Sequence, residues 1–384
     1  MLAVTVLRGK HPLKTRDAAR IESVQSQALR TAAPKQGSMT PISSPERRPP
    51  VTMRDVAARA RVSAQTVSNV VNGRTERVGP DTIERVTAAI DELGYRLNQS
   101  ARSLRKGRTG LVGLGLPILA SEYYGELAER LARRFSAQGM RLVTENTGGE
   151  ITAEVESLAA SHLETYDGFI LAVAASESAD LDRILAGKPI VLLGERALST
   201  RFDHVLMDNV GGGRRATAYL LERGARAVVV LGGSLGAGDS VQTLRTRGYL
   251  EAHDAAGLPV DERLIVGPGL DMADGHRELG ALLDRGVAFD AVFALTDSAA
   301  FGAMRALHER GLRIPDDIQL IGFDNVRAGR FCTPTLTTIE PDNDAMADAI
   351  VDVMMRRLEG PRRPSEPRRL MMGAEVIPRE STRP

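Results

Sequence analysis

Residues 63–73 run SAQTVSNVVNG, and their polar side chains are of a single chemical kind. Ser63, Gln65, Thr66, Ser68, Asn69 and Asn72 carry hydroxyls or amides, groups that both donate and accept hydrogen bonds. Gln65 and Asn69 are suited to the paired donor and acceptor edge that adenine shows in the major groove. Ala64 offers only an apolar contact, which fits a thymine methyl. Ser63, Thr66, Ser68 and Asn72 are suited to phosphate oxygens, contacts that set register rather than sequence. The plainer reading is the solvated face of a small helix. The surrounding elements weigh against it.

Those elements are three short helices. Thr52 is placed to cap the first, with Asp55 three residues on completing a capping-box pattern. Val56, Ala57 and Ala60 then form one apolar stripe at helical spacing. A turn at Arg61 and Val62 leads to Ser63, a second cap, and a helix over 64–71 that buries Val67, Val70 and Val71. Asn72 and Gly73 end it, glycine suiting the left-handed position past a helix terminus. A third helix begins near Pro80, presents Ile83, Val86, Ile90 and Leu93 on one face, and stops at Gly94. Helix, short turn, helix is the helix-turn-helix arrangement, in which the second helix enters the major groove by its first turn. That turn is Ala64, Gln65 and Thr66, with Asn69 one turn later.

Charge supports a polyanionic partner. The chain's net charge is only +1, but residues 1–50 carry nine Lys and Arg against three Asp and Glu, and residues 51–108 carry eleven against six. The remainder is acidic, thirty against forty. Basic charge thus gathers in the first quarter, where it accompanies the helices. Residues 1–50 are expected to be a disordered extension. The stretch GSMTPISSPERRPP holds four prolines and little that could form a core. Met39 and Met53 offer alternative translation starts. One cysteine, Cys332, rules out an internal disulfide framework and fits a reducing compartment. No apolar run is long enough to span a bilayer, and the expected location is the cytoplasm, at the nucleoid.

Beyond residue 110 the texture changes. Short apolar runs at 111–116, 141–144, 169–173, 190–193, 205–207, 228–231, 264–266, 291–294 and 320–322 alternate with amphipathic stretches such as 125–138 and 298–310. That alternation implies βαβ units and parallel sheets with helices on both faces. Residues 110–384 are too many for one core, so two α/β lobes are expected.

The run VTMRDVAARARVSAQTVSNVVNG, with VGPDTIERVTAAIDELGYRLNQSARSLRKGRTGLVGL close behind, resembles the headpiece of the LacI/GalR family of transcriptional regulators. The resemblance extends to DGFIL at Asp167, DNVGGGRRATAYLLERG at Asp208, RTRGYLEA at Arg245, GAMRALHERGLRIPDDIQLIGFDN at Gly302 and RESTRP at Arg379. It implies a helix-turn-helix headpiece over 51–97, a hinge helix or linker over 98–109, and over 110–384 a two-lobed core like that of periplasmic binding proteins. It implies a homodimer on a pseudo-palindromic double-stranded operator. In the hinge, Leu104 stands where the family inserts a leucine into the minor groove, a wedge that kinks the duplex. Arg102, Arg105 and Lys106 would add phosphate attraction. By matching motifs, Tyr123, Tyr124, Arg245, Thr296 and Asp324 would line an effector pocket between the lobes, at the carboxyl ends of strands where α/β sheets bind ligands. Arg245 and Asp324 would grip opposed polar edges of a small ligand, with tyrosine stacking. The sequence departs from the family pattern at Asn69, commonly Arg; at Arg61, commonly Gly; at Leu97, commonly Pro; and at Thr296, often Asn.

Other signals were set aside. Gly113 and Gly115 lack the third glycine of a dinucleotide fingerprint, Ile118 standing there. The glycines of 232–238 have no following Lys-Ser/Thr. The six histidines show no metal-ligand spacing, and no nucleophile elbow occurs. No catalysis, cofactor or metal is expected. The reading is a repressor whose operator affinity answers to a small molecule, a sugar or sugar derivative being the family's commonest effector. The rivals are a transport component with the same core, which the headpiece opposes, and an α/β enzyme with an accessory DNA-binding domain, for which no catalytic constellation exists. The terminal segment has no heptad seam, so a dimer is expected rather than a tetramer.

Overall fold

The structure, a computed structural model, describes residues 51–71, 73–95, 108–184, 187–194, 201–360 and 366–384. Of the expected features, the extension over 1–50, Asn72 and most of the hinge, with Arg102 and Leu104, lie outside the described residues. The chain divides into two compact units with the boundary between Leu97 and Asn98.

The first unit holds three helices: α1 (Met53–Ala60), α2 (Ala64–Val71) and α3 (Pro80–Leu93). Thr52 and Asp55 form the capping box. Thr52 Oγ1 accepts from the Asp55 backbone N–H at 3.4 Å, and Asp55 Oδ2 accepts from the Thr52 N–H at 2.8 Å. This holds the Asp55 carboxyl below its usual range, the Thr52 hydroxyl being the largest cause. Val56, Val67 and Val86, with no exposed surface, form the centre, flanked by Ala57, Ala60 and Ala89. Val70 and Val71, expected inside, are only half-buried, as are Ile83, Ile90 and Leu93. A unit this small cannot close over every apolar side chain. Arg61 ends α1 at φ 54°, in the left-handed region that glycine occupies without steric cost.

The second unit holds two six-stranded sheets. The first has the order β11-β5-β4-β3-β1-β2, from β1 (Leu111–Leu116), β2 (Arg141–Asn146), β3 (Gly168–Ala172), β4 (Ile190–Leu193), β5 (Asp203–Met207) and β11 (Arg369–Met372). The second has the order β12-β10-β9-β8-β6-β7, from β6 (Val228–Leu231), β7 (Ile265–Val266), β8 (Ala291–Ala294), β9 (Gln319–Phe323), β10 (Thr337–Glu340) and β12 (Glu375–Ile377). All pairings are parallel except β12 against β10. Runs such as IVLL, VVVL and AVFA are buried at every residue, as strands covered by helices on both faces must be. The chain passes between the sheets three times: after β5, after β10 and after β11. Among the described residues no helix is long and apolar enough to cross a membrane.

Three strands and one long helix, Asn343–Glu359, were not anticipated. Thr337 and Thr338 give β10 a polar look, yet both are fully buried. Their hydroxyls are satisfied inside the core: Thr338 donates to Asp297 Oδ1 at 2.6 Å, and Thr337 to the Arg379 carbonyl at 3.1 Å. Strands β11 and β12 are short edge strands, four and three residues long, with too few positions for an alternating pattern to show.

Two helix pairs brace the second sheet. Helices Asn209–Glu222 and Val241–Ala255 meet where Gly213 faces the Arg245 carbonyl and Gly248 faces the Val210 carbonyl. A Cβ at either glycine would lie 2.3 or 2.1 Å from that oxygen, so only glycine permits the approach. Helices Met272–Asp284 and Asp297–Glu309 use the same device at Gly275 and Gly302.

Candidate DNA-contacting helix and ligand cavity

On α2, the Ser63 hydroxyl accepts from the Thr66 backbone N–H at 3.0 Å and lies 2.9 Å from the Thr66 hydroxyl. Both side chains are therefore engaged in starting the helix. Ala64 and Gln65 are exposed; Ser68 and Asn69 are half-buried. Gln65 Nε2 donates to Asn69 Oδ1 at 3.1 Å, so the two amides are joined rather than separate. The pair retains Gln65 Oε1 as acceptor and the Asn69 Nδ2 hydrogens as donors, the complement of an adenine edge.

In the second unit, a cavity of about 650 Å³ opens where the carboxyl ends of strands from both sheets converge. Pro117 and Ile118 follow β1, Val173 and Ala174 follow β3, and Met207 ends β5; Leu270 to Asp274, Thr296 and Asp324 follow β7, β8 and β9. All five side chains expected at an effector site line it.

Arg245 sits in the first turns of helix Val241–Ala255, whose start Ser240 caps by accepting from the Thr243 N–H. Its guanidinium is 3% exposed and lies 3.4 Å above the Phe323 ring centroid. Nε donates to Asn209 Oδ1 at 2.8 Å, Nη1 to the Leu295 carbonyl, and Nη2 to Asp324 Oδ1 at 3.5 Å. Arg245 and Asp324 thus form one buried pair on the cavity wall, not the two opposed jaws expected. Asp324 has φ 111°, a strained conformation for a residue with a Cβ. Its backbone is held there: its N–H donates to the Ile339 carbonyl at 2.9 Å, and its carbonyl accepts from Asn343 Nδ2 at 2.9 Å. Burial pushes its carboxyl up to about 7, against the pull of Arg245, and Glu340 adds to the rise. Behind it, Asp297 accepts from Thr338 and from the Val326 N–H, and burial holds its carboxyl well above the usual range.

Tyr123 and Tyr124 open helix Glu122–Ala137 and meet edge to face, centroids 5.1 Å apart at 63°. The Tyr123 hydroxyl reaches Met346 Sδ at 3.5 Å. Burial raises both phenols, Tyr124 to about 12, so both stay neutral and present faces and hydroxyls. Thr296 is different. Its hydroxyl accepts from the Ala299 N–H at 3.0 Å and donates to the Leu270 carbonyl at 2.6 Å, capping helix Asp297–Glu309. It shapes the wall and has little left for a ligand.

Sequence reasoning missed Asn209, Phe323, Glu122 and Met346. Asn209 was findable, since it follows Asp208 in the quoted DNVGGG stretch. Phe323 and Met346 read as core residues and become site residues only through the crossing of the chain. Two bonds bridge the sheets beside the cavity: Ser298 Oγ donates to Glu122 Oε2 at 2.6 Å, and the Arg327 N–H to Glu126 Oε1 at 2.7 Å.

A small helix-turn-helix unit together with a two-sheet, ligand-cavity unit defines a class of DNA-binding regulators. Residues 52–98 match the family described as bacterial regulatory proteins, lacI family, and residues 217–382 match the periplasmic binding protein-like domain. The HTH-type transcriptional repressor PurR of Escherichia coli O1:K1 is 32% identical over 337 residues, covering 86% of this chain and 96% of the relative. Among solved structures, a complex of the transcriptional regulator CelR with cellobiose is 31% identical, with a TM-score of 0.62, over 87% of this chain and 100% of that one. The lac repressor dimer bound to operator and the anti-inducer ONPF is 25% identical, with a TM-score of 0.70, over 87% of this chain and 99% of that one. The chain belongs to the LacI family, and it is a DNA-binding transcriptional regulator.

Proposed function

We propose that this regulator is a repressor, acting as a homodimer on a pseudo-palindromic operator in the cytoplasm, and that a sugar or sugar derivative in the cavity sets its operator affinity. The observation that carries the reading is the cavity itself, where Arg245, Asp324, Tyr123 and Tyr124 converge from separate elements of both sheets. PurR is a named repressor, CelR was solved with cellobiose, and the lac repressor was solved as an operator-bound dimer. These relatives support the same roles here. Residues 51–97 act as headpiece, 98–109 as hinge, and 110–384 as effector-binding and dimerisation core. Ser63, Ala64, Gln65, Thr66, Ser68, Asn69 and Asn72 contact DNA, Leu104 enters the minor groove, and Arg102 adds phosphate attraction. The protein acts by binding and release rather than catalysis, as befits a family of transcriptional regulators.

Selection of bound DNA from a random library, followed by footprinting, tests the DNA arm. The expected footprint is an inverted repeat whose affinity drops when Leu104 is replaced by Ala. An asymmetric site, or a Leu104→Ala variant of unchanged affinity, contradicts it.

A further inference from the structure

Resting on the sugar reading, we propose that the cavity selects an uncharged saccharide larger than one ring and excludes phosphorylated sugars and sugar acids. Besides Asp324, four carboxylates line the space, none of them paired with a cation among the described lining residues: Glu122, Asp239, Asp271 and Asp274. Arg245 is the single cation among the described lining residues, and its donors are already taken up by Asp324 at 3.5 Å, the Leu295 carbonyl and Asn209. Among the described lining residues a ligand anion therefore finds no free guanidinium. Asp274 does pair with Arg277, but that arginine is not among the lining residues.

One feature acts the other way. Five helices begin at the cavity, at Glu122, Asn209, Val241, Met272 and Asp297, and each N-terminus carries about half a positive charge. Those half-charges sum to about two and a half, against the three carboxylates that remain once Arg277 offsets Asp274. Three of the helices are also capped within the site, by Ser240, Asp271 and Thr296, whose side chains already accept from the first-turn N–H groups. Among the described residues the balance at the mouth therefore stays on the negative side, and a dianion meets repulsion as well as a loss of solvation.

Size points to more than one ring. About 650 Å³ lies in the middle of the range that pockets for drug-sized ligands span, roughly 300–1,000 Å³. The lining is of two kinds: Tyr123, Tyr124 and the Arg245–Asp324 pair are buried or half-buried, whereas Ile118 and Met272, both about half-exposed, and Asp239 are open to solvent. A saccharide places C–H faces on the aromatic and aliphatic groups and hydroxyls on the carboxylates, which accept without needing a charged partner.

The test is calorimetric titration of the full-length protein with cellobiose, maltose, lactose and xylobiose, their constituent monosaccharides, and the 6-phosphates of the hexose disaccharides. The expected result is that at least one neutral disaccharide binds, at least tenfold tighter than its monosaccharide and its phosphate. Replacing Asp239 and Asp271 by Asn, which keeps the helix cap, is expected to narrow the gap between neutral and phosphorylated forms. A phosphorylated sugar binding as tightly as its neutral parent overturns the charge inference and leaves the sugar reading standing. A monosaccharide binding as tightly as any disaccharide overturns the size inference alone. Absence of binding by every sugar, while the protein still binds its selected DNA, overturns both the inference and the sugar reading.

Discussion

Asp324 carries the most consequence of any single residue. Its carboxyl, held up to about 7 by burial, changes charge within the physiological range. In the unfolded chain the same group titrates near 4, so the folded protein holds the proton more tightly. Stability from this source is complete below that unfolded value and is lost as pH rises through about 7. Asp324→Asn tests this directly, because asparagine also tolerates positive φ. The variant is expected to lose this part of the decline in thermal stability between pH 5 and 8. A saccharide hydroxyl donated to Asp324 favours its ionised form, so ligand affinity in the parent should rise with pH across the same window. Calorimetry at pH 6 and pH 8 reads it, and an equal response in Asp324→Asn would assign the effect elsewhere. Arg61 offers a second test. Relieving its left-handed φ with Arg61→Gly should stabilise the headpiece by about 0.5–1 kcal/mol, measured by denaturant unfolding. On the proposed DNA face, Gln65→Ala removes one member of a bonded amide pair, and is expected to cost about 1–3 kcal/mol at the cognate site.

At the level of elements, the helix pair carrying Arg245 is the support on which the cavity depends. Gly248 allows Val241–Ala255 to lie against the Val210 carbonyl, and that contact sets where Arg245 emerges. Gly248→Ala forces the helices apart and is expected to cost about 1–3 kcal/mol of overpacking, with ligand affinity falling alongside. The same substitution at exposed Gly257, just past that helix, strains its φ of 64° but meets no neighbouring atom, and is expected to leave ligand affinity unaffected. The elements also show why parts of the molecule were legible in sequence. Apolar runs such as VVVL are four-residue strands with no competing reading, and Thr52 with Asp55, Ser63, Pro80 and Gly94 mark helix ends through local chemistry. Strand β10 was hidden because its threonines are satisfied by partners far along the chain, Asp297 and Arg379. The joining of Arg245 to Asp324 was hidden for a related reason: residue types reveal which groups are polar, not which of them will spend that polarity on each other.

For the whole molecule, two sheets linked by three chain crossings enclose a cavity bridged by Glu122–Ser298 and by Glu126 with the Arg327 N–H. A ligand that strengthens or breaks those bridges changes the balance between lobe arrangements. If that balance governs DNA binding, operator and ligand must alter each other's affinity by one factor. The decisive measurement is a pair of titrations. Operator affinity is determined by fluorescence anisotropy with and without a saturating amount of the best-binding disaccharide; disaccharide affinity is then determined by calorimetry with and without saturating operator. The expected result is a change of at least fivefold in each, equal in size and sign. Operator affinity that stays constant while the disaccharide fills the cavity would contradict the account.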